Sequence, residues 1–399
     1  MGAGSDLCAL RVVTPDIDSS STKLKLKLKM KRFKIRLGVI AMLTVVTAAQ
    51  AQIRIGQTAG FTGPVAAGVK DMTAGAKLYF DTINARGGID GKQIELVSLD
   101  DHFEPPLAAK NAGTLVADSK VVALFLSRGT PQTQAMLPVL EQAKIALVAP
   151  LTGAMLLRRP VQPYVFNVRA SSAREAQRAV EHLVGVGVTR IAVVSPQDPS
   201  GVDAVAGATA GFDAAKIKPA LLAQFDQQKP EFGPLVESLK KIDPQAIIFV
   251  GSSQAVANGV KLLRAAGSRA QIVTLSNNAS KGFIDAMAAN AHGTIIAQVF
   301  PNEKSLSSPL IKEIIDFAKA AHVEDITPSL VEGFADAKVV VEAIRRAGRN
   351  PTRATVLTAL NSMSAYDLGG LRISYSPDDH TGLDFVDLSI VDSVGKLRR

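Results

Sequence analysis

The stretch IRIGQTAGFTGPV, residues 53–65, decides the fold because it joins a short apolar strand to a glycine-rich turn. An amphipathic run follows at about 65–86 and is predicted to be a helix. The same order of strand, turn and helix returns several times downstream. Short apolar strands separated by helices predict a parallel sheet that is covered on both faces. Because the crossovers of such a sheet are right-handed, a doubly wound α/β layer is expected.

The repeats fall into two runs, which are followed by a mostly helical section. The first run predicts strands at 53–57, 93–99, 121–126 and 145–149, and helices at about 65–86, 105–118 and 131–143. The second predicts strands at 190–195, 246–250 and 271–275, and helices at 172–186, 202–214, from about 231, and at 254–266. The last section predicts helices at 308–321, 329–347 and 352–362, then strands around 371–375 and 385–391.

This order predicts two doubly wound, Rossmann-like lobes joined by a hinge that the chain crosses three times. The helices after residue 307 need a sheet to cover, and the first lobe has a free face. The final strands can then return to the second lobe. The expected division is 52–168 and 300–367 for the first lobe and 169–299 and 368–399 for the second, with crossings near 167–170, 299–301 and 366–371.

The first 51 residues have the features of a leader. A basic start, MKRFKIR (30–36), precedes an uncharged apolar run at 37–49, and Ala49 and Ala51 supply the small residues of a cleavage site. This order is typical of a secretory signal peptide, and the run is shorter than the ~20 residues of a membrane-spanning helix. We therefore expect a signal peptide at 30–51, an over-extended start at 1–29, and a periplasmic mature protein beginning at Gln52.

Most of the basic character lies in this leader. The chain has 45 Lys and Arg against 36 Asp and Glu, and residues 1–51 hold nine and three of these, which leaves 36 against 33. A nucleic-acid-binding protein needs a concentrated basic face, so this class is not expected. The one cysteine, Cys8, precedes the signal, and the mature protein is expected to be a monomer without disulfides.

Catalytic and metal-binding patterns are missing from the sequence. The five histidines are far apart and show no metal-ligand spacing, and no G-x-S-x-G motif occurs. The glycine-rich loop at 56–63 has the wrong spacing for a dinucleotide site, and Asp100 follows it too late. The sequence therefore predicts neither an enzyme nor a cofactor.

Polar loops follow the predicted strands of both lobes. They lie at 58–64, 100–105, 127–130, 150–153, 197–201, 251–253 and 276–279, and they are rich in Ser, Thr, Asn and Gly. Ligands of open α/β sheets bind at the carboxyl ends of the strands, and helix N-termini suit a carboxylate. The alternative is that the hydroxyls only cap helices. Seven such loops from both lobes favour a cleft between the lobes.

Several motifs resemble one known family. They are IRIG and FTGPV in 53–65, YFDTINARGGIDGK (79–92), ELVSLDD (95–101), YVFNVR (164–169), EGF (332–334), YDLGG (366–370) and FVDL (385–388). In this order they resemble the leucine/isoleucine/valine-binding proteins, which are substrate-binding proteins of ABC importers. The resemblance covers nearly all of 53–399 and implies the type I periplasmic binding fold.

The resemblance also implies a set of ligand-binding residues. In the first lobe the carboxylate-binding positions fall on Ser127, Thr130, Thr152 and Gly153, and those in the second lobe on Ser200, Ser252 and Asn278. Neighbouring candidates in the same loops are Phe61, His102, Phe103 and Asn277.

The polar residues at 277 and 278 leave the type of ligand open. Amino-acid binders place an acidic partner for the ammonium group where this chain has Asn277 or Asn278, although Asp198 could substitute for it. A buried ammonium without a carboxylate partner is costly, whereas an amide can bind a neutral group. Two types of ligand therefore remain open. One is a branched-chain amino acid, and the other is a carboxylate, an amide or an aromatic acid.

The expected function is the capture of a small polar solute and its delivery to the permease subunits of an ABC importer. The alternative is a ligand-sensing protein that docks on a membrane receptor. Both predict that the cleft closes on the ligand by a hinge motion.

Overall fold

The computed structural model describes residues 52–117 and 121–398. The predicted leader at 1–51, with its signal peptide, lies outside the described residues. Within the described ranges no helix is both long and apolar enough to cross a membrane.

The first sheet has five parallel strands in the order β2-β1-β3-β4-β5. These are β1 (Ile53–Ala59), β2 (Ile94–Asp100), β3 (Val121–Phe125), β4 (Leu147–Val148) and β5 (Val165–Phe166). Every residue of β3 is buried, because helices cover both faces of the sheet.

A second sheet begins after the chain leaves β5. Its parallel part consists of β6 (Ile191–Pro196), β7 (Leu221–Phe225), β8 (Ala246–Phe249), β9 (Gln271–Thr274) and β10 (Ile295–Gln298). Successive residues of β6 pack on opposite faces, with Ala192 and Val194 in one core and Ile191 and Val193 in the other. Both faces of this sheet are therefore buried as well.

Eleven α-helices occur in the described part of the chain. The first lobe contains α1 (Ala66–Ala85), α2 (Pro105–Ala117) and α3 (Thr130–Ala143), and the second α4 (Ser172–Gly185), α5 (Pro199–Ala215), α6 (Gly233–Ile242), α7 (Ser253–Ala265) and α8 (Lys281–Met287). The chain then returns to the first lobe with α9 (Pro309–Ala320), α10 (Pro328–Arg346) and α11 (Arg353–Asn361). Short polar side chains begin several helices; Ser171, Asp198, Ser252 and Thr327 each accept a backbone N–H of the first turn.

The third crossing between the lobes comes later than the sequence predicts. The hairpin of β11 (Tyr366–Asp367) and β12 (Arg372–Ile373) forms a separate sheet, and Leu368 and Leu383 pack in the core of the first lobe. Only β13 (Asp387–Val391) joins the second sheet, antiparallel to β10, and β14 (Leu397–Arg398) extends it. The chain therefore crosses after Leu383, not near 366–371, because the apolar side chains of the hairpin are buried against the first lobe.

Candidate ligand-binding cleft

A cavity lies between the two lobes, at the carboxyl ends of the strands of both sheets. Its wall contains seven of the residues predicted from the sequence, namely Phe103, Thr130, Thr152, Gly153, Ser200, Ser252 and Asn277. It also contains charged and amide side chains outside the predicted set, namely Arg128, Arg169, Glu175 and Gln227, together with Asp198, the alternative acid of the sequence analysis. The structure thus brings loops from both lobes to one place, while ligand contact by any of these residues remains a prediction.

Phe61 and His102 do not line this cavity. The backbone N–H of Phe61 donates to Asp100 Oδ1 at 2.9 Å, and the ring of Phe61 packs against a small apolar cluster that includes Phe103. His102 is exposed, and its Nδ1 lies 3.2 Å from Asp100 Oδ2. Both residues therefore contribute to the structure of the loop, and Phe103 is the one that reaches the cavity wall.

Ser127 and Asn278 are buried beside the cavity and do not line it. The hydroxyl of Ser127 lies 3.0 Å from Thr133 Oγ1. The amide of Asn278 is fully buried, and its Nδ2 donates to Gly251 O at 3.2 Å and to Thr274 Oγ1 at 2.9 Å. The predicted roles of these two side chains in ligand binding are not supported by this geometry, because their polar atoms are already used within their own lobe.

The first-lobe wall is built around the start of α3. The residue before this helix is Gly129, which has no side chain to accept the first N–H groups. The hydroxyls of Thr130 and Thr152 lie 2.6 Å apart, and Thr152 Oγ1 accepts the backbone N–H of Ala154 at 3.2 Å. Pro131, the second residue of α3, has no N–H, but the N–H groups of Thr130 and Gln132 remain in this first turn. Such groups at a helix N-terminus, beside two hydroxyls, suit a carboxylate.

The second-lobe wall combines helix starts with amide groups. Ser252 caps α7 by accepting the N–H of Ala255 at 3.3 Å, so the capping role considered from the sequence applies to this hydroxyl. The amide of Asn277 donates to Gly251 O at 2.9 Å. These groups hold the loops in place and still present polar atoms to the cavity.

Gly153 marks a close approach of the two walls. Its carbonyl accepts the backbone N–H of Ser172, the first residue of α4, at 2.9 Å. A Cβ at residue 153 would overlap the backbone and hydroxyl of Ser172. Glycine is therefore required here by packing, because no larger residue fits without moving α4.

Arg128 is the most unusual side chain in the wall. It is 3% exposed, and its Nη2 donates to Asn277 O, in the opposite lobe, at 3.2 Å. Among the residues that the structure describes, Nη1 has no hydrogen-bond partner. Burial and the nearby Arg169 lower the pKa of Arg128 to about 10, so the side chain stays cationic at neutral pH. The signal that could have found it is a basic residue in the loop SRGT, which closely follows the buried strand β3.

Arg169 lies at the first hinge crossing and is paired on both sides. Its guanidinium contacts Glu175 of the second lobe at 2.9 Å and Glu332 of the first lobe at 3.3 Å, and it also donates to Ser276. Burial raises the pKa of Glu332, and burial together with Glu332 raises the pKa of Asp336 well above its ordinary range. Arg169 thus joins an acid of each lobe at the hinge.

The loop that carries Phe103 depends on a buried carboxyl group. Asp101 Oδ1 accepts the backbone N–H of Phe103 at 2.9 Å, and Asp101 Oδ2 accepts the hydroxyl of Thr58 at 3.1 Å. Phe103 itself has a φ of 63°, a left-handed conformation that side chains other than glycine rarely adopt. Burial raises the pKa of Asp101 from 3.8 to about 6.

This raised pKa predicts a pH dependence of stability. Between about pH 4 and pH 6 the unfolded chain releases the proton of Asp101 while the folded protein keeps it, so the free energy of unfolding falls as the pH rises. Above pH 6 this contribution is constant. Urea denaturation of the wild type and Asp101→Asn at pH 4.5 and pH 7 should show a larger advantage of the wild type at pH 4.5. An equal difference at the two pH values would contradict the assignment.

A family model described as periplasmic binding protein matches residues 52–389. The chain belongs to this family. A "Leu/Ile/Val-binding protein homolog 3" from Brucella melitensis is 26% identical to this periplasmic binding protein over 346 residues, which cover 84% of this chain and 90% of the relative. The "Leu/Ile/Val-binding protein" of Escherichia coli K12 is 23% identical over 71% of this chain and 76% of its own length.

Solved structures agree with the fold. A substrate-binding periplasmic protein from Ralstonia solanacearum is 33% identical, with a TM-score of 0.78 over 87% of this chain and 99% of its own. A possible leucine/isoleucine/valine-binding protein from Rhodopirellula baltica has a TM-score of 0.81 at 24% identity, over 89% and 98% of the two chains. The predicted resemblance and the predicted type I periplasmic binding fold are thus confirmed. The family places this periplasmic binding protein outside the cytoplasm.

Among residues 52–117 and 121–398, no group of three or more His, Cys, Asp and Glu side chains is arranged to hold a metal ion.

Proposed function

We propose that this periplasmic binding protein captures an amino acid, or a related small carboxylate or amide, between its lobes and delivers it to the permease subunits of an ABC importer. The observation that carries the proposal is the cavity itself, whose wall combines a free helix N-terminus and paired hydroxyls of the first lobe with hydroxyl and amide groups of the second. Such a wall binds and orients a polar solute without reacting with it.

The names of the relatives support this proposal. The Brucella relative is named for the binding of leucine, isoleucine and valine, and the Ralstonia protein is named as a substrate-binding periplasmic protein. The role of a permease partner follows from the resemblance of the motifs to substrate-binding proteins of ABC importers. The protein acts by binding and not as an enzyme.

The mechanism follows from the contacts between the lobes. The backbone N–H of Met155 in the first lobe donates to Asp203 Oδ2 in the second at 2.7 Å. On the opposite side, Asp71 of α1 accepts the N–H of Lys281, at the start of α8, at 3.4 Å. These contacts form when the lobes close, and a ligand that touches both walls favours closure. The membrane partner then recognises the closed form.

A hydroxyl of the first-lobe wall provides the test. A thermal-shift screen of leucine, isoleucine, valine and their acid and amide analogues first identifies a solute that binds. Titration calorimetry should then show that Thr152→Val weakens binding of that solute by about 1–3 kcal/mol, the cost of removing a hydrogen bond to a charged or buried group.

Ser127→Ala is the matched control for this variant. It also removes one hydroxyl beside the cavity, but that hydroxyl bonds to Thr133 and does not line the wall. We expect Ser127→Ala to bind as the wild type does. If Thr152→Val also binds normally, the cleft is not the binding site.

A further inference from the structure

We infer that the natural solute is an organic acid with a net negative charge and that its carboxylate forms an ion pair with Arg128. This inference rests on the proposed function and narrows it. It separates such an acid from a zwitterionic amino acid and from a neutral amide.

The first observation is the incomplete set of partners of Arg128. Its guanidinium is almost completely buried, Nη2 is satisfied by one backbone carbonyl, and Nη1 has no partner in the part of the chain that the structure describes. A buried N–H without an acceptor is costly, and the cost is greater when the group is charged. Because Arg128 lines the cavity, a bound anion supplies the missing acceptor.

The second observation is that the other arginine of the wall forms ion pairs and that Asp198 bonds to its own helix. Arg169 is balanced by Glu175 and Glu332. Asp198 Oδ1 accepts the backbone N–H groups of Ser200 and Gly201, at 2.9 Å and 3.1 Å, at the start of its own helix. Arg128 is therefore the cation of the wall that forms no ion pair within the part of the chain that the structure describes.

The third observation is the surroundings of Arg128 in its own loop. Two residues later, Thr130 begins α3, whose first N–H groups have no side-chain acceptor. Guanidinium and helix N-terminus both favour an anion, and a planar guanidinium matches the two oxygens of a carboxylate. A ligand ammonium beside Arg128 would meet a charge of the same sign, which is unfavourable.

The experiment compares matched probes on the full-length mature protein. The probes are 4-methylpentanoate with 4-methylpentanamide, benzoate with benzamide, and leucine as the zwitterion of the same size as the first pair. Titration calorimetry on the wild type should show that at least one acid binds about 10- to 100-fold more tightly than its amide, and more tightly than leucine.

Variants of Arg128 identify the group responsible. Arg128→Gln should lose this preference, with a drop of about 10- to 100-fold in affinity for the acid. The affinity of Arg128→Lys for the acid should lie between those of the wild type and Arg128→Gln, because lysine keeps the charge without the bidentate geometry. The surface variant Arg178→Gln, which changes no residue of the cavity wall, should bind as the wild type does. Without ligand, Arg128→Gln should melt no lower than the wild type, because it removes a buried charge that has an unpaired donor.

Each outcome decides between the possibilities. An amide or leucine that binds the wild type as tightly as the matched acid overturns the inference, and so does an Arg128→Gln variant with wild-type affinity for the acid. If this variant fails to fold, the preference of the wild type for acid over amide and leucine decides the question. A wild type that binds none of the acids, amides or leucine contradicts the proposed function itself, and the inference falls with it.

Discussion

We expect Arg169→Met to lower the free energy of unfolding by about 3–5 kcal/mol at pH 7, because it leaves a buried carboxylate without its partner. Arg169 is 3% exposed, and it joins Glu175 of the second lobe to Glu332 of the first. The loss should be smaller at pH 5, where protonation removes part of the stranded negative charge. Urea denaturation at the two pH values measures both effects.

Glu175→Gln is the matched comparison for this variant. It removes one acid but leaves Arg169 with Glu332, so the arginine keeps a counter-ion. We expect a smaller loss of stability than for Arg169→Met. The double variant should lose less than the sum of the two single changes, because the two residues interact directly. Strict additivity would show that the pair does not stabilise the hinge.

The second large effect is expected at the contact between α1 and α8. Gly282 lies in the first turn of α8, and a Cβ at this position would overlap the Cβ of Ala67, which is in α1 of the other lobe. Gly282→Val should therefore oppose closure and weaken ligand binding by about 1–3 kcal/mol, the usual cost of overpacking. The stability of the ligand-free protein should change little, because the overlap is relieved when the lobes separate.

Gly233→Val is the control for this change. Gly233 is the first residue of α6 in the same lobe, and a Cβ there meets no atom within 4 Å. This variant should bind with wild-type affinity in titration calorimetry. Equal affinities of the two glycine variants would mean that closure does not bring α1 and α8 together.

The sequence allowed the layered fold to be predicted because buried parallel strands are short, continuous apolar runs. The strand Val121–Phe125 is buried at every residue and was predicted almost to the residue. The strand Leu221–Phe225 was missed, since it lies at the edge of the second sheet and its first four residues alternate between half-buried and exposed. The strand Ile295–Gln298 was missed although it is fully buried. It is only four residues long and lies between a turn and the hinge, so its apolar run is short.

The position of the cleft was also predictable, whereas the direction of individual side chains was not. The loops at the ends of the strands do meet, but in the pair Ser127 and Arg128 it is the arginine that lines the cavity, and in the pair Asn277 and Asn278 it is Asn277. Both pairs lie in the loops after the strands, where the regular alternation of strand side chains no longer applies. Which of the two faces the cavity depends on the loop conformation and on hydrogen bonds within the lobe, such as those of Ser127 and Asn278.

The most direct measurement of the central claim is small-angle scattering of the mature protein, with and without a saturating concentration of the solute that binds best. Capture between two lobes predicts a smaller radius of gyration in the presence of the solute, because the lobes close around it. An unchanged radius of gyration, at a concentration where calorimetry shows full binding, would contradict capture by closure of the cleft.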